Sequence, residues 1–438
     1  MELATARRSD SEKSSSTGHR SAVLASFLGW TLDAFDFFLV TLALGRIAED
    51  FHTSRPAIAL SLTVTLAFRP VGAFIFGLLA DRYGRRLPLM IDLVFYSVFE
   101  VLTGLAPNYW SFMVFRAAFG IGMGGEWGVG ATLAMEKVPP RLRGVLSGLL
   151  QQGYAAGNLL AALCAYFVMP RFGWRIMFFI GGLPALLALY VRSSVKESEV
   201  WENTKKHESW AHLGRAIASH WKSFIYLVFL IGMMALVSHG TQDLYPTFLT
   251  KQWGFGESGS SLLTAFTMVG ALAGGIFFGF LSDRSGRRKA MMIALAVGIL
   301  TIPLWALSAS TAQFLAMLSP MVLMYIGGFL MQFMVQGAWG VIPAHLAELS
   351  SDGIRGFLPG FAYQCGVLLS SPVAYRQAKL GESIGYGKAM ALTAMIVFTL
   401  AILVIAVGRE RHGIRFGEDS ARTSTDTDLP SRSASTAN

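Results

Sequence analysis

The chain has 438 residues, of which 53% are hydrophobic and only 14% charged, with 32 phenylalanines and a mean hydropathy of +0.50. An ordinary soluble domain carries roughly 25% charged residues, so this composition excludes a soluble enzyme, a disordered chain and a disulfide scaffold, and implies a polytopic membrane protein. The net charge of +9 would suit a nucleic-acid partner in a soluble protein, but here the placement of the charges matters more than their sum.

Apolar runs fall at about 21–46, 57–80, 87–106, 110–135, 144–169, 174–192, 223–249, 259–281, 289–308, 313–346, 354–378 and 385–408, which predicts twelve membrane helices. The segments before and after them are polar. Residues 1–20 form an N-terminal tail, 193–222 a charged central loop between two groups of six spans, and 409–438 a Ser/Thr-rich tail expected to be disordered. The first apolar run is too long for a cleavable signal peptide and contains Asp33 and Asp36. Cys164 and Cys365 fall within spans and read as buried thiols.

Lys and Arg set the orientation. With both termini on one side, that side carries 26 of the 36 Lys/Arg residues and the opposite loops carry 8, while Arg69 and Arg116 lie inside spans. The bias places both termini in the cytoplasm. The positive charge is then a matter of topology, and a nucleic-acid partner is not expected. The compact loops favour a bacterial inner membrane.

Two internal repeats organise the chain. Residues 72–86, GAFIFGLLADRYGRR, match 274–288, GGIFFGFLSDRSGRR, at nine of fifteen positions. Residues 125–152 match 337–364 at ten of 28, including Gly125, Trp127, Gly128, Glu136, Arg143, Gly144 and Gln152. Both matches run in the same order, as in two parallel six-helix repeats related by an axis along the membrane normal. In the first repeat Asp81 can pair with an arginine or a helix N-terminus. We expect a conformational latch of Asp81, Arg82 and Arg85 with Asp283, Arg284 and Arg287.

Ionisable groups inside a span cost at least about 2.5–3.5 kcal/mol and mark functional candidates. Asp33 and Asp36 share a face of span one, Arg69 lies mid-way along span two, Glu126 lies deep in span four, and His239 and Asp243 are one turn apart on span seven. Arg69 aligns with Ala271 and Glu126 with Ala338 in the second repeat, so symmetry does not require them. They serve a transport site or an ionic staple. Glu100 and Arg116 lie at matching depth and read as a structural ion pair, and Asp92 is expected to meet the loop motif. Tyr154 with Asn158, and Gln332 with Gln336, each share a turn and offer hydrogen bonds to a ligand or between helices. Gly120, Gly124 and Gly128, with Gly270–Gly274 and Gly275–Gly279, form close-approach faces.

The repeated Gly77-x-Leu79-x-Asp81-Arg82-x-Gly84-Arg85-Arg86 resembles the signature of the major facilitator superfamily, placed after spans two and eight as in that family. The resemblance implies a transporter that rocks two six-helix bundles, 21–192 and 223–408, around a midplane site. A second stretch, Ser238-His239-Gly240-Thr241-Gln242-Asp243-Leu244-Tyr245-Pro246-Thr247, is similar to the signature of the sialate:proton symporter family, which includes fungal lactate permeases. Ala235 stands where that pattern has Asn. Asp33–Phe38, Gly124–Gly128 and Arg355–Gly360 also look like this family.

What the resemblance implies is proton-coupled transport of a small carboxylate such as lactate, pyruvate or acetate, or of sialic acid. Substrate binding maps onto Arg69, His239, Thr241, Gln242 and Asp243, and proton coupling onto Asp33, Asp36 and Glu126. Residue chemistry agrees. Arg69 offers a planar fork for a carboxylate, His239 offers a second donor when protonated, and burial raises the pKa of an acid toward the working range. Pro246 interrupts the span-seven ladder and marks a gate or hinge near Thr247. The expected partners are the carboxylate, protons and the bilayer, with a monomer as the working unit. We find no metal-ligand pattern, nucleophile motif or nucleotide loop, so neither an enzyme nor a cofactor is expected. An organic-cation or drug carrier and a non-transporting sensor are the rival readings.

Overall fold

The computed structural model describes residues 2–53, 55–204, 215, 218–315, 319–350, 354–370, 372–414 and 416. His207 and His212, expected to be solvated, and the tail from 417 onward lie outside the described residues. The molecule is all-helical among those residues. Among the described residues nine helices are long and apolar enough to cross a bilayer. Three further crossings are Tyr109–Lys137, the pair Arg143–Gln151 and Gly153–Phe167, and the pair Leu358–Ser370 and Val373–Ile384. Together these make the twelve expected spans, in two groups of six.

Several expected boundaries shift. Span one belongs to one helix, Glu2–Asp50, which also takes in the predicted N-terminal tail. Span seven is Trp221–Gln242, and a new helix starts at Tyr245 with Pro246 in its first turn. The break therefore precedes the proline, where the missing N–H costs least. Span two keeps Pro70 in its interior, directly after Arg69, so the helix loses one backbone hydrogen bond there.

Spans two and eight end alike because the motif glycines do. Gly84 has φ +98° and Gly286 has φ +95°, a region costly for any side chain. Each lets the chain reverse straight into the next helix, Arg86–Gly104 or Arg287–Ala306.

The glycine stripes divide their work. Gly120 and Gly124 of span four lie against the backbone of Thr65 and Arg69 in span two, and Gly270 and Gly274 of span eight lie against Phe329 and Phe333 of span ten, all within one half. The others join the halves. Gly144 and Gly148 of span five meet Gly279 and Gly275 of span eight, and a Cβ on Gly128 would lie 2.7 Å from Cα of Gly360 in span eleven. Hydrogen bonds run beside these contacts, from Thr132 Oγ1 to the Arg355 carbonyl (3.0 Å) and from Ser147 Oγ to the Gly340 carbonyl (2.6 Å). All of these inter-half contacts lie toward the face that carries the two loop motifs, so the halves are closed on that face.

Gly128→Val is expected to hold that face apart. Spin labels at Arg141 and Arg284, read by pulsed electron resonance, should show a longer and broader distance than in the parent. An unchanged distribution would contradict closure by this glycine contact.

Candidate functional site

Arg69 is placed by the backbone that carries it. Span four approaches so closely at Gly124 that a Cβ there would enter the Arg69 main chain. The guanidinium is buried, 5% exposed, and its Nε and Nη2 have no hydrogen-bond partner. Asp33 and Glu126 lie within electrostatic range of it, as do the Tyr154 and Tyr363 rings. Tyr154 also feels Asp243 of the other half. The site therefore lies where the two bundles face each other.

Below Arg69, toward the motif face, aromatic rings close the space. Trp127 of span four stacks on Tyr363 of span eleven with centroids 3.8 Å apart. Trp30 packs edge-on to both, and Trp339 abuts Tyr363. Gln364 Nε2 donates to the Gly124 carbonyl at 3.4 Å and ties this floor across the halves.

Glu126 reaches from span four into span one, where its Oε1 occupies the space beside Gly29 and Ser26, and its Oε2 is buried without a partner. Asp33 and Asp36 are fully buried, with all four carboxyl oxygens unpartnered. Asp92 departs from expectation. It does not meet the loop motif: both oxygens are buried and unpartnered, and its charged neighbours are Glu126 and Asp33. Its depth in span three was legible, but the helix rotation turns it into the bundle. Glu100 and Arg116 do pair, Oε2 to Nη1 at 2.7 Å, fully buried.

On span seven, His239 Nδ1 lies 3.2 Å from the Asp243 carboxylate, and the two side chains are 39% and 36% exposed. Gln242 and Thr241 are engaged in their own half: Gln242 Nε2 donates to Gln332 Oε1 at 2.7 Å, and Thr241 Oγ1 donates to the Val237 carbonyl at 2.9 Å. Tyr154 is half-buried and Asn158 exposed.

The ion-pair network around the two loop motifs extends beyond the motif residues. Asp81 accepts hydrogen bonds from the backbone N–H of Gly356 (2.8 Å) and Phe357 (3.0 Å), at the start of span eleven. Asp283 accepts from Gly144 (2.8 Å) and Val145 (3.1 Å), at the start of span five. Each aspartate also holds its own arginine, Arg85 or Arg287, at 2.7 Å. Those arginines reach Glu136 and Glu348 at 3.0 and 2.9 Å. Arg355 and Arg143 approach the same glutamates at 3.8 and 3.6 Å. Burial works against the Arg85 charge, but Glu136 and Asp81 outweigh it and push its pKa above the ordinary value.

Arg284 does not take part, because it is exposed and lies over the Phe280 ring of its own helix. Arg82 is half-buried. Glu136, Glu348, Arg143 and Arg355 are not among the residues expected of this network, although the matched stretches 125–152 and 337–364 contain all four. Neither is the segment 409–416, expected as part of a disordered tail. Glu410 caps the helix of span nine through the N–H groups of Arg287 and Arg288 (3.3 and 2.9 Å), and the Phe416 ring lies 3.5 Å from the Arg143 guanidinium and 3.8 Å from that of Arg355.

Residues 26–348 match the family model of the Major Facilitator Superfamily, and the chain belongs to that family. It is a membrane transporter and not an enzyme. It is 30% identical to the sialic acid transporter NanX of Escherichia coli over 399 residues, covering 89% of this chain and 93% of that protein. It is 27% identical to a carboxylic acid transporter protein homolog of Saccharomyces cerevisiae over 424 residues, covering 88% of this chain and 67% of that one. Its fold matches that of the proton:xylose symporter XylE bound to a halogenated glucose, with a TM-score of 0.75 at 20% identity over 93% of this chain and 99% of that one.

Asp81→Asn removes the charge from two backbone hydrogen bonds and an ion pair. Hydrogen bonds to charged groups contribute about 1.5–3 kcal/mol each, so the closed-to-open ratio of the motif face should fall at least about tenfold. A cysteine replacing the buried Ser147 should then react correspondingly faster with a thiol reagent applied from that face. Equal rates would remove Asp81 from the latch.

Proposed function

We propose that this transporter is a proton symporter for small carboxylates, working by alternating access. The observation that carries the reading is Arg69: a buried guanidinium with two unpartnered nitrogens, between the halves, with buried acids on one side and aromatic rings on the other. A carboxylate taken from water needs a cation and several donors to offset its desolvation. Arg69 supplies the fork. His239 and Asp243, partly exposed across the gap, supply a donor and a group to receive a hydroxyl or carbonyl substituent. Gln242 and Thr241 set the edge of that site through Gln332. The names of the relatives, carboxylic acid and sialic acid transporters, support this class of substrate.

Coupling follows from charge balance. Without substrate, Arg69 balances one negative charge held between Asp33 and Glu126, the other acid of the two being protonated. When the substrate carboxylate takes the guanidinium, one of these acids is left uncompensated in a dry bundle and must bind a proton. The loaded site is then neutral and can be closed over. Rocking breaks the latch and exposes the site to the motif face. In this reading that face is cytoplasmic, as the Lys/Arg bias favours, the compact loops favour a bacterial inner membrane, and a monomer is the working unit. A larger acid is the second reading: the 30% identity to NanX points to sialic acid, carried by the same coupling.

Proteoliposomes given labelled lactate, pyruvate, acetate or sialic acid should accumulate one of them only under an inward proton gradient. No accumulation of any acid would sink the reading. Arg69→Ala should abolish uptake. Arg69→Lys, which keeps the charge but loses the fork, should lower it at least about tenfold.

A further inference from the structure

Span ten, Pro320–Gly340, is followed by a short helix, Ile342–Leu349, on the face where the halves are closed. Every residue from Ile342 to Glu348 is buried, and the helix packs on spans four and five of the opposite half. Ser147 of span five ties it there. Its Oγ donates to the Gly340 carbonyl at 2.6 Å and accepts the Ala344 N–H at 3.1 Å. The next residue is His345. Its imidazole is fully buried, and neither ring nitrogen has a hydrogen-bond partner. At the aligned position of the first repeat, 212 residues earlier, stands Leu133, also fully buried. The fold accepts a hydrocarbon there, so packing does not require the imidazole.

The surroundings of His345 hold no free counter-charge. Arg287 and Arg288 of span nine are the charges acting on the ring. The acids of this face are committed elsewhere. Glu348, one turn along the same helix, is held by Arg287 and Arg143. Glu136 of span four is held by Arg85, and Asp283 of span eight by Arg287. Glu410 accepts the N–H groups of Arg287 and Arg288, and His412 meets the Asp283 carbonyl. An imidazolium shut away from water, with both N–H groups unbonded and a guanidinium nearby, carries a desolvation cost that nothing here offsets. The ring is therefore neutral while this face is closed.

We propose that His345 is a proton-operated brake on closure of the motif face. When the halves separate, the surface of spans four and five leaves its helix and water reaches the ring. A proton from that water then forms an N–H bond on the free ring nitrogen. The imidazolium cannot be folded back beside Arg287, so the face stays open until that N–H bond breaks and the proton returns to water. The closed form holds one proton fewer at this position, and acid on the motif side therefore draws the equilibrium toward the open form. For transport the inference rests on the symport reading: the motif side is then the one that receives acid and protons, and the brake limits how far uptake can acidify it.

The equilibrium can be read without substrate. In purified protein spin-labelled at Arg141 and Arg284, lowering the pH from about 7.5 to about 5.5 should raise the open-to-closed ratio about tenfold through this one group. His345→Leu, the residue the fold already uses at the aligned position, and His345→Gln, polar but without a charge to gain, should both lose that rise. A parent ratio that ignores pH would overturn the brake, as would a rise that either variant keeps in full. Diethyl pyrocarbonate tests the burial without altering the histidine. Mass spectrometry should find His345 protected at neutral pH in the parent and modified in Gly128→Val, and equal modification in the two would contradict sealing by closure.

In proteoliposomes that accumulate one of the four labelled acids, acidifying the motif side at a fixed proton gradient should slow the parent several-fold and His345→Leu much less. Equal slowing would overturn the brake in transport. Failure of the parent to accumulate any acid would count against the symport reading, while the spin-label distances would still decide whether His345 controls the face.

Discussion

Two carboxylates join the halves of this protein. Asp81 takes the first N–H groups of span eleven, and Asp283 takes those of span five. A helix start presents unsatisfied donors and a partial positive charge, and neither can be left bare where water is scarce. Each aspartate therefore solves the capping problem of a helix in the opposite half. Closure of the motif face is not an added ornament, since the ends of two spans depend on it. The glycine contacts follow, because the carboxylates reach those N–H groups only if the backbones come close enough at Gly144, Gly148, Gly77 and Gly128.

The same scarcity of water makes the N-terminal half unusual. Among the described residues its spans bury Asp33, Asp36, Asp92, Glu100 and Glu126, with Arg69 and Arg116 as the cations beside them. The aligned positions of the second half hold Ala271 and Ala338 in place of Arg69 and Glu126. The two bundles are alike in the ion pairs around their loop motifs and unlike in their interiors, where the buried charge is concentrated in the first. The second half contributes the span-seven pair and the Gln242–Gln332 bond.

Much of this architecture was legible in the sequence because periodic apolar runs and repeats are local signals. Twelve spans, the two-half organisation, the Glu100–Arg116 pair and the burial of Arg69 and Glu126 follow from spacing and depth. What escaped was proximity. Glu136 and Arg355 meet at 3.8 Å although more than 200 positions separate them, and a repeat reports identity without saying which copies touch. Asp92 was read at the right depth and on the wrong face, since depth depends on a residue count and facing on the rotation of a packed helix. Arg284 sits in the motif as Arg287 does, yet only Arg287 is turned inward. The end of the chain looked polar and featureless because Glu410 and Phe416 acquire meaning only from the helix end and the arginines they meet.

Phe416 also bridges the two halves on the closed face. Its ring touches one guanidinium from each half, Arg143 and Arg355, at 3.5 and 3.8 Å. Those arginines move apart whenever the bundles separate on that side, and a planar ring cannot remain in contact with both. The Phe416 ring is thus held at both points only in the closed arrangement, and a swing of the domains must release at least one grip.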